Sequence, residues 1–505
     1  MEASPETLLR ADVAVVGAGA AGLFAALVAA DMGADVALVS RSPLAQTASF
    51  WAQGGIAAAL AEGDSPELHA ADTIAAGRGV ARDSAVRVLC DESPARVHEL
   101  EALGVTFDAD RHGNLALGLE GGHSARRIVH AGGSATGRRI TRELSARAAM
   151  HEHIQVLEPS SAVALWQLDG RCVGLLARRR DGAELPVLAR ATVLATGGMA
   201  ALWERTTNPA GAIGAGLGLA EAAGAQLADL EFMQFHPTAL STGGVRDGFL
   251  ITEAVRGEGA RLLDANGERF VDELAPRDHV ALAIEAELAR SGERAVGLDL
   301  RHLDLGRFPN IAAALAEVGI DPARDVVPVA PAAHYTMGGV ATDLDGRATL
   351  PGLYAVGESA CSGLHGANRL ASNSLAECFV YGRRAAMAAS AEPLPPFAPG
   401  PAPKPGPPAL PPDSTRTALW RHAGLQRDAE GLLELSRDPF PLARLIAAAC
   451  LAREESRGAH QRRDHPATDP GLDRTHTLVG GGRDSRKHPA RPGAPRLSTA
   501  FEIWE

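Results

Sequence analysis

The N-terminal part of the chain alternates between apolar runs and a glycine-rich break. Residues 11–41 read "ADVAVVGAGAAGLFAALVAADMGADVALVSR", which is a short apolar run, a glycine loop, a long alanine-rich run and a second short run. This order predicts a strand, a loop, a helix and a second strand. Residues 13–30 are uncharged and long enough for a membrane span, but their glycines and the flanking Asp12 and Asp31 favour the strand–loop–helix unit.

Two later segments repeat the pattern of a short apolar run that ends in a turn. Residues 191–198 read "ATVLATGG", and residues 352–360 read "GLYAVGESA". Buried strands with similar endings, so far apart in the chain, predict one parallel sheet that is interrupted by an insertion. The insertion would run from about Leu230 to about Tyr335.

The C-terminal part begins with a proline-rich segment. Residues 394–412 read "LPPFAPGPAPKPGPPALPP", which can form neither a helix nor a central strand and predicts a linker. Beyond it, "FPLARLIAAACLAREES" has helical character and predicts a small helical domain. The last thirty residues are polar and rich in Gly, Pro and Arg, and we expect them to be loosely ordered.

Composition excludes several classes of function. The 505 residues suggest about three domains, and 46% hydrophobic residues are ample for a globular core. Asp and Glu outnumber Lys and Arg by 61 to 49, and this net charge of −12 argues against a nucleic-acid or membrane surface. The five cysteines are scattered without metal-ligand spacing, and the N-terminus does not resemble a signal peptide. We therefore expect reduced thiols, a cytoplasmic protein and no metal site.

The glycine loop has the spacing of a dinucleotide-binding site. Gly17, Gly19 and Gly22 stand between the predicted strand and helix, where they allow a tight turn and let backbone N–H groups approach a pyrophosphate. An ordinary glycine-rich turn is the alternative. The second strand ends in Ser40 and Arg41, where NAD-binding folds usually carry an acidic ribose ligand, so the sequence favours FAD over NAD.

One acidic residue stands in an otherwise basic segment. Residues 119–130 read "LEGGHSARRIVH", in which Glu120 precedes two glycines and has two histidines and two arginines beside it. A solvent-exposed helix face would not normally carry paired glycines. One interpretation is a turn acid that pairs with Arg126 or Arg127.

Seven further stretches are specific in combination. They are "FWAQGGIAA" (50–58), "EFMQFHPTAL" (231–240), "TEAVRGEGARLL" (252–263), "ELAPRD" (273–278), "HYTMGGV" (334–340), "GLYAVGES" (352–359) and "HGANRLASNSLAE" (365–377). In these the chain resembles the flavoprotein family of the fumarate reductases and succinate dehydrogenases, and most of all its L-aspartate oxidase branch. The resemblance covers about residues 10–390 and, in the helical part, only "ESRGAHQRRDHP" (455–466).

The resemblance implies an α/β fold with a Rossmann-like FAD-binding domain, an inserted α+β capping domain and a small C-terminal helical domain. The expected boundaries are 1–229 and 336–393 for the two segments of the FAD-binding domain, 230–335 for the capping domain, 394–412 for the linker, and 413–505 for the helical domain and tail.

The resemblance also implies a set of FAD contacts. They fall on Gly17, Ala18, Gly19, Ala20, Ala21, Gly22, Arg41, Ala48, Ser49, Phe50, Trp51, Ala52, Gln53, Gly54, Gly55, Glu358, Ser374 and Leu375. Glu358 suits a ribose or ribityl hydroxyl, since a carboxylate accepts such hydrogen bonds well, although a surface turn acid is the alternative. Relatives in membrane complexes hold FAD covalently through a histidine just before "AQGG". Ala48 stands in that place here, so we expect FAD to be bound non-covalently.

A dicarboxylate substrate needs cationic or hydrogen-bonding groups at both ends. By resemblance His236, His334 and Arg369 bind the carboxylates, and Thr252 adds a hydroxyl donor. Each histidine alone would more often be structural, but the combination favours a site. Glu120 matches a glutamate of the L-aspartate oxidases, where it would accept the substrate's α-ammonium group and disfavour succinate, which lacks one.

Three charged residues match the family's proton path. Arg277, in "APRD", matches the proton-transferring arginine, although an arginine is almost always charged and is an awkward general base. Glu253 and Arg256, three residues apart, match the relay that leads to it. The alternative is an ion pair on a helix surface.

The implied activity is FAD-dependent oxidation of L-aspartate to iminoaspartate, with O2, giving H2O2, or fumarate as the acceptor. This is the first step of quinolinate and NAD synthesis and implies functional coupling to quinolinate synthase, with no nucleic-acid or membrane partner. One rival is a succinate dehydrogenase or fumarate reductase flavoprotein subunit, which the missing histidine opposes. Another is a non-catalytic FAD-binding homologue, supported by Ala215, which stands where the family has an FAD-contacting Asp. Either one hydrogen bond to FAD is missing here, or Asp229 or a backbone group compensates for it.

Overall fold

The computed structural model describes residues 8–44, 47–394, 401–403, 410–481 and 494–504. Its strands, in chain order, are β1 (Leu9–Val16), β2 (Val36–Val39), β3 (Ile56–Ala57), β4 (Leu117–Gly118), β5 (Ile128–Val129), β6 (Ile154–Leu157), β7 (Ser160–Leu168), β8 (Arg171–Arg179), β9 (Glu184–Leu194), β10 (Gln226–Ala228), β11 (Met233–Leu240), β12 (Arg261–Leu263), β13 (Val296–Asp299), β14 (Val327–Thr336), β15 (Gly339–Ala341), β16 (Leu353–Ala355), β17 (Ala360–Cys361), β18 (His476–Gly480) and β19 (Arg496–Ser498). Its α-helices are α1 (Ala20–Asp31), α2 (Pro66–Ala76), α3 (Asp83–Ala102), α4 (Thr136–Met150), α5 (Ala215–Ala222), α6 (Ala254–Gly257), α7 (Arg277–Ser291), α8 (Pro309–Glu317), α9 (Asn373–Ser390), α10 (Asp413–His422), α11 (Ala429–Leu435) and α12 (Pro441–Ala452).

A seven-stranded sheet joins the three segments that the apolar pattern singled out. β1 pairs in parallel with β2 and with β9, and β16 pairs in parallel with the end of β9. The predicted strand–loop–helix–strand unit and the interrupted parallel sheet are therefore confirmed. The sheet is mixed rather than wholly parallel, because β7, β8 and β9 are antiparallel neighbours. Short turns connect these three strands, and antiparallel pairing needs no crossover helix.

Helix α1 is buried on all sides between this sheet and α9. Every residue from Ala20 to Ala30 is buried, and the alanines let neighbouring elements approach closely. Phe24 packs edge-on against Phe379 of α9, with ring centroids 5.3 Å apart. An uncharged helix buried in this way explains why its sequence resembles a membrane span. Among the described residues no helix is both long and apolar enough to cross a membrane.

The insertion contains a second sheet, which we call the capping sheet. It has the antiparallel order β11-β14-β13-β12, and α7 packs against it. Its core includes Leu262, Ile284, Leu298, Ile311 and Val329. The separate core gives the insertion a packing unit of its own.

The C-terminal part begins with helices and ends in strands. α12 confirms the helix predicted from "FPLARLIAAACLAREES". The expectation of a loosely ordered tail is wrong for residues 476–480, which form β18 and pair with β10 in a five-stranded sheet. Asp229 fixes this pairing, since its carboxylate accepts hydrogen bonds from the Thr477 N–H and from His476 Nδ1. Most of the proline-rich linker, at 395–400 and 404–409, and tail residues 482–493 lie outside the described residues.

Candidate active site

A cavity of about 530 Å³ lies between the carboxyl ends of the parallel strands and the inserted segment. Ligands of α/β proteins bind at such strand ends and at junctions between domains. The predicted site residues that line it are Gly17, Ala18, Gly19, Ala20, Ala21, Arg41, Ala48, Ser49, Trp51, Ala52, Gln53, Gly54, Gly55, Glu120, His236, Thr252, Arg277, His334, Glu358, Arg369, Ser374 and Leu375. Gly22, Phe50, Glu253 and Arg256 lie behind this lining, and the Phe50 ring faces the guanidinium of Arg138.

The glycine loop passes so close to the sheet that side chains would not fit. A Cβ added to Gly17 would lie 2.2 Å from the Ala195 carbonyl oxygen, and Gly17 has a φ of +108°, which favours glycine. A Cβ on Gly22 would lie 1.9 Å from the Gly17 carbonyl oxygen. Helix α1 begins directly after Gly19, and the Ala20 N–H donates to the Ser49 hydroxyl. The helix N-terminus therefore faces the cavity and suits a pyrophosphate.

Glu358 is a hydrogen-bond acceptor that lines the same cavity. Its Oε1 accepts the Thr336 N–H at 2.9 Å, and a Cβ on Gly198 would lie 2.3 Å from the same oxygen. Burial raises the pKa of Glu358 to about 7. A carboxylate held there suits a ribose or ribityl hydroxyl and is not the surface turn acid considered as the alternative. Arg41, at the exposed rim, donates to the Gly211 carbonyl at 3.0 Å.

The segment that precedes β3 forms a further wall. Gln53 donates through Nε2 to the Leu250 carbonyl, while its buried Oε1 has no partner among the described residues. A Cβ on Gly55 would lie 2.4 Å from the Val129 carbonyl oxygen, and the Gly55 N–H donates to the Ser372 hydroxyl. Together with the glycine loop and Glu358, these features give a long cleft with an anion site, hydroxyl acceptors and unused polar atoms. The residues present therefore fit FAD.

Two histidines from the capping sheet approach each other in the cavity. The rings of His236 and His334 have centroids 5.2 Å apart. Burial, followed by the charge of Arg277, holds the pKa of His236 well below its usual value, and burial and Arg369 do the same for the pKa of His334. His236 Nδ1 accepts the Thr238 N–H, so Nε2 carries the proton of the neutral ring. That buried Nε2 has no partner among the described residues, which leaves it free to donate to a ligand.

Arg369 and Arg277 share one acceptor, the side chain of Gln234. Gln234 Oε1 accepts from Arg369 Nη2 at 2.9 Å and from Arg277 Nη1 at 3.3 Å. Arg369 also donates to Ser374 and lies 4.4 Å over the ring of Tyr335, while its Nε has no partner in the described residues. Burial and the nearby Arg277 lower the pKa of Arg369 to about 10. Two guanidinium groups at one site suit a dianionic ligand.

Arg277, Glu253 and Arg256 form a buried chain of charges. Arg277 Nε donates to Glu253 Oε2 at 2.6 Å, and Arg256 Nη2 lies 3.5 Å from Glu253 Oε1. The side chains of Arg256 and Glu253 are 0% and 4% exposed, so the pair is not on a helix surface. Burial alone would raise the pKa of Glu253, but the two arginines outweigh it and lower that pKa. The chain connects the cavity at Arg277 to the interior of the inserted segment.

Glu120 reaches the cavity from the loop after β4. It is 6% exposed, and its Oε2 accepts the Ser372 hydroxyl at 2.7 Å. The alternative pairing with Arg127 does not occur, because Arg127 is bound to Asp64 at 2.9 Å and to Asp72 at 2.6 Å. A carboxylate that is buried with a neutral donor as its close partner has room to accept a ligand cation.

Sequence reasoning missed several polar residues that hold the site together. Ser372 has a left-handed φ of +60°, which lets its hydroxyl serve both Glu120 and Gly55. Gln234 and Thr207 were also missed; Thr207 Oγ1 lies 2.7 Å from His334 Nδ1. Ser372 and Gln234 lie inside the quoted motifs, and their uncharged side chains near predicted cationic residues were the available signal.

Ala215 occupies the first position of α5 and lines the cavity. Asp229 does not take the place of the expected acid, because its carboxylate binds His476 and Thr477 and it is not among the lining residues. The described part of the chain contains no group of His, Cys, Asp and Glu side chains that could hold a metal.

Two family models match the chain. The model described as FAD binding domain matches residues 12–375, and the model described as fumarate reductase flavoprotein C-term matches residues 421–490. The first match contains all of the cavity-lining residues named above.

Curated relatives and solved structures resemble the whole chain. The L-aspartate oxidase of Caulobacter vibrioides is 48% identical over 92% of this chain and 96% of that protein. The L-aspartate oxidase of Streptomyces coelicolor is 43% identical over 94% of this chain and 92% of that protein. The FrdA chain of E. coli quinol fumarate reductase, in a mutant form, superposes with a TM-score of 0.85 at 30% identity and covers 97% of this chain and 96% of that one.

Proposed function

The chain belongs to the L-aspartate oxidase family, and from that premise we propose that it oxidises L-aspartate to iminoaspartate with FAD as its cofactor. The observation that carries the proposal is Glu120, a buried carboxylate that lines the same cavity as Arg277, Arg369 and two neutral histidines. A site for a plain dicarboxylate has no use for this acid. A site for an amino dicarboxylate needs it.

The substrate carboxylates are bound by Arg369, from the second segment of the FAD-binding part, and by residues of the inserted segment. Arg369 offers a planar pair of donors, and its unused buried Nε strengthens the case that a ligand completes its hydrogen bonding. His236 donates through Nε2, and His334 and Thr252 add further contacts. Because His236 and His334 are neutral, they orient the dianion as hydrogen-bond donors rather than as cations.

Glu120 accepts the α-ammonium group of the substrate. The Ser372 hydroxyl holds Oε2, so Oε1 remains for the ligand. Succinate would leave this buried charge without a cation, which is an energetic penalty against the wrong substrate. Glu120 thus supplies the discrimination between amino and plain dicarboxylates.

Arg277 is the proton-transferring group, and Glu253 and Arg256 form the relay behind it. The 2.6 Å contact between Arg277 and Glu253 fixes the guanidinium at the cavity wall and gives a path for a proton. In the forward reaction Cα loses a hydrogen with two electrons and the nitrogen loses a proton, which balances the conversion of amine to imine.

FAD, when bound, supplies the acceptor for the hydrogen and two electrons that leave Cα. The glycine loop would hold its pyrophosphate, and Glu358 and the 47–55 segment would hold the remainder. Ala48 begins the short helix at the place of the covalent histidine in related complexes, so FAD is held without a covalent bond. Acid precipitation should leave the yellow colour in the supernatant; colour in the pellet would contradict non-covalent binding.

Anaerobic mixing tests the function directly. The FAD-loaded protein is mixed with L-aspartate in one series and with succinate in another, and the loss of yellow flavin absorbance is followed. We expect fast bleaching by L-aspartate and slow bleaching by succinate. The reverse order would indicate the succinate dehydrogenase or fumarate reductase alternative, and no bleaching by either, with FAD bound, would indicate a non-catalytic homologue.

The wider role is proposed on the same basis. The electrons taken from L-aspartate pass either to O2, which gives H2O2, or to fumarate, which gives succinate. The iminoaspartate product places the enzyme at the first step of quinolinate and NAD synthesis, coupled to quinolinate synthase. Five free cysteines favour a cytoplasmic location.

We propose that the chain divides into an FAD-binding domain (1–229 and 336–393), a capping domain (230–335), a linker (394–412) and a helical domain with tail (413–505). The separate core of the capping sheet supports this division.

A further inference from the structure

His130, directly after β5, lies beside Glu120 and has no role in the function proposed above. Its Nε2 lies 4.0 Å from Glu120 Oε1, the oxygen that the Ser372 hydroxyl does not occupy. The ring sits tightly against the neighbouring strand, because a Cβ on Gly118 would lie only 2.8 Å from His130 Cε1. The side chain of His130 is 22% exposed, whereas that of Glu120 is 3% exposed. The imidazole is therefore the more exposed member of this pair of side chains.

The charge balance at Glu120 depends on what is bound. L-Aspartate brings an ammonium group that compensates the carboxylate, whereas fumarate and succinate bring none. Among the described residues, His130 is the group within ion-pair distance of Glu120 that can become a cation. Arg127 of the same segment is already paired with Asp64 and Asp72.

We infer that His130 is a specificity-determining residue that supplies the counter-charge to Glu120 when the bound dicarboxylate lacks an amino group. The inference rests on the proposed function. An imidazolium at His130 compensates Glu120 and admits fumarate, while a neutral imidazole leaves Glu120 free to select the ammonium of L-aspartate.

Two further charged residues, Asp108 and Arg139, contact the backbone of His130 or the glycines that follow it. The Asp108 N–H donates to the His130 carbonyl, and the Asp108 carboxylate accepts the N–H groups of Gly132 and Gly133. The guanidinium of Arg139, from α4, faces Gly132. Within the described residues neither Asp108 nor Arg139 forms an ion pair with the His130 ring, so Glu120 is the group that responds to its charge.

Two substitutions that fix the charge at position 130, one neutral and one cationic, test the inference. His130→Gln keeps a hydrogen-bond donor but can carry no charge, and His130→Lys keeps a cation over the whole range. The measured quantity is kcat/KM for L-aspartate oxidation divided by kcat/KM for fumarate reduction by the dithionite-reduced protein, with all variants at one pH. We expect this ratio to be roughly fivefold higher in His130→Gln than in His130→Lys, the effect of one partly exposed ion pair.

The two variants should give different ratios. His130→Gln should give the higher ratio, because Glu120 then has no cation beside it, and His130→Lys should give the lower one. His112→Gln, on an exposed loop, is the matched control and should behave as the parent. Equal ratios in the two variants, or a higher ratio in His130→Lys than in His130→Gln, would overturn the inference.

A binding measurement separates this inference from the proposed function. Fumarate does not react with the oxidised FAD-loaded protein, so its Kd can be read from the change in flavin absorbance without turnover. Fumarate should bind roughly fivefold more tightly to His130→Lys than to His130→Gln. Failure of L-aspartate to bleach the flavin would refute the function, whereas bleaching with equal fumarate affinity in His130→Lys and His130→Gln would refute the role of His130.

Discussion

Glu120 is the residue at which substrate identity is decided. Glu120→Gln keeps the shape of the side chain and its contact with the Ser372 hydroxyl, but removes the charge that pairs with an ammonium group. We expect kcat/KM for L-aspartate oxidation to fall roughly a hundredfold, in line with the loss of one partner of a buried charge pair. Fumarate reduction should not fall, because the variant leaves no unpaired charge beside a ligand that lacks an amino group. Steady-state rates of both reactions, measured on the same preparation, check this, and equal losses would contradict the assignment.

Glu358 is the residue at which cofactor binding depends on pH. Its pKa is raised to about 7 by burial, so the carboxylate is largely protonated at pH 6 and ionised at pH 8. An ionised carboxylate is the better acceptor for a ribose or ribityl hydroxyl. The Kd for FAD should therefore decrease from pH 6 to pH 8 in the parent.

Glu358→Gln should remove that dependence, because an amide does not titrate in this range. Titration of the FAD-free protein with FAD, followed by quenching of flavin fluorescence at several pH values, gives the comparison. A variant that keeps the parent's pH profile would show that another group controls FAD affinity.

Helix α7 presents Arg277 to the cavity from its first residue, and a contact with the FAD-binding part of the chain holds that end. Arg78, in the loop after α2, donates to Asp278 Oδ2 through Nε at 3.1 Å and through Nη2 at 2.9 Å. Arg457, from the C-terminal part, donates in turn to the Arg78 carbonyl. The start of α7 is thus tied to two other parts of the chain, next to the proposed proton-transferring group.

Arg78→Gln should loosen this end of α7. We expect kcat for flavin reduction to fall roughly tenfold with a smaller change in KM, because Arg277 acts in the reaction while the carboxylate-binding residues keep their places. Arg78→Lys should recover part of the loss. Arg324→Gln, whose parent side chain is 85% exposed, is the control. A loss confined to KM would contradict a role in positioning Arg277.

Local elements with a strong apolar pattern were predictable, and elements that depend on distant partners were not. The α1 unit carries its own signal, since an alanine-rich run follows a glycine loop. β18 is only five residues long and becomes a strand because β10, about 250 residues earlier, pairs with it. The composition around it, rich in Gly and Arg, pointed the other way. The mixed character of the main sheet likewise depends on the turns between β7, β8 and β9.

The residues of the active site divide in the same way, into those that a local motif reveals and those that only the fold reveals. His236, Arg369 and Glu120 could be named because charged residues in specific motifs carry a chemical signal. Gln234 and Ser372 could not, because their importance comes from the geometry in which a single amide oxygen serves two arginines and a left-handed serine serves a carboxylate. Such neutral residues gain their role only when the fold brings their partners together.

The whole molecule buries several histidines in neutral form, and this couples its stability to pH. Burial lowers the pKa of His69 to about 4, and it also lowers the pKa of His236, His334 and His460. Unfolding would return each to a value near 6.5, so below that pH the unfolded chain binds more protons than the folded one. The free energy of unfolding should therefore be unaffected by these groups above pH 6.5 and should decrease as the pH falls below it.

His69 offers a clean test of this coupling, because it is fully buried and outside the cavity lining. Its Nε2 lies 2.8 Å from Asn373 Oδ1, a contact that the amide of a glutamine can replace. His69 alone should cost about 1.4 kcal/mol for each pH unit between 6.5 and 4, so His69→Gln should make the slope of unfolding free energy against pH shallower by that amount. Urea unfolding at fixed, saturating FAD between pH 7.5 and 5 measures the slope, with the exposed His112→Gln as the control. If His69→Gln and the parent lose stability in parallel on acidification, the burial of neutral histidines is not the source of the pH dependence.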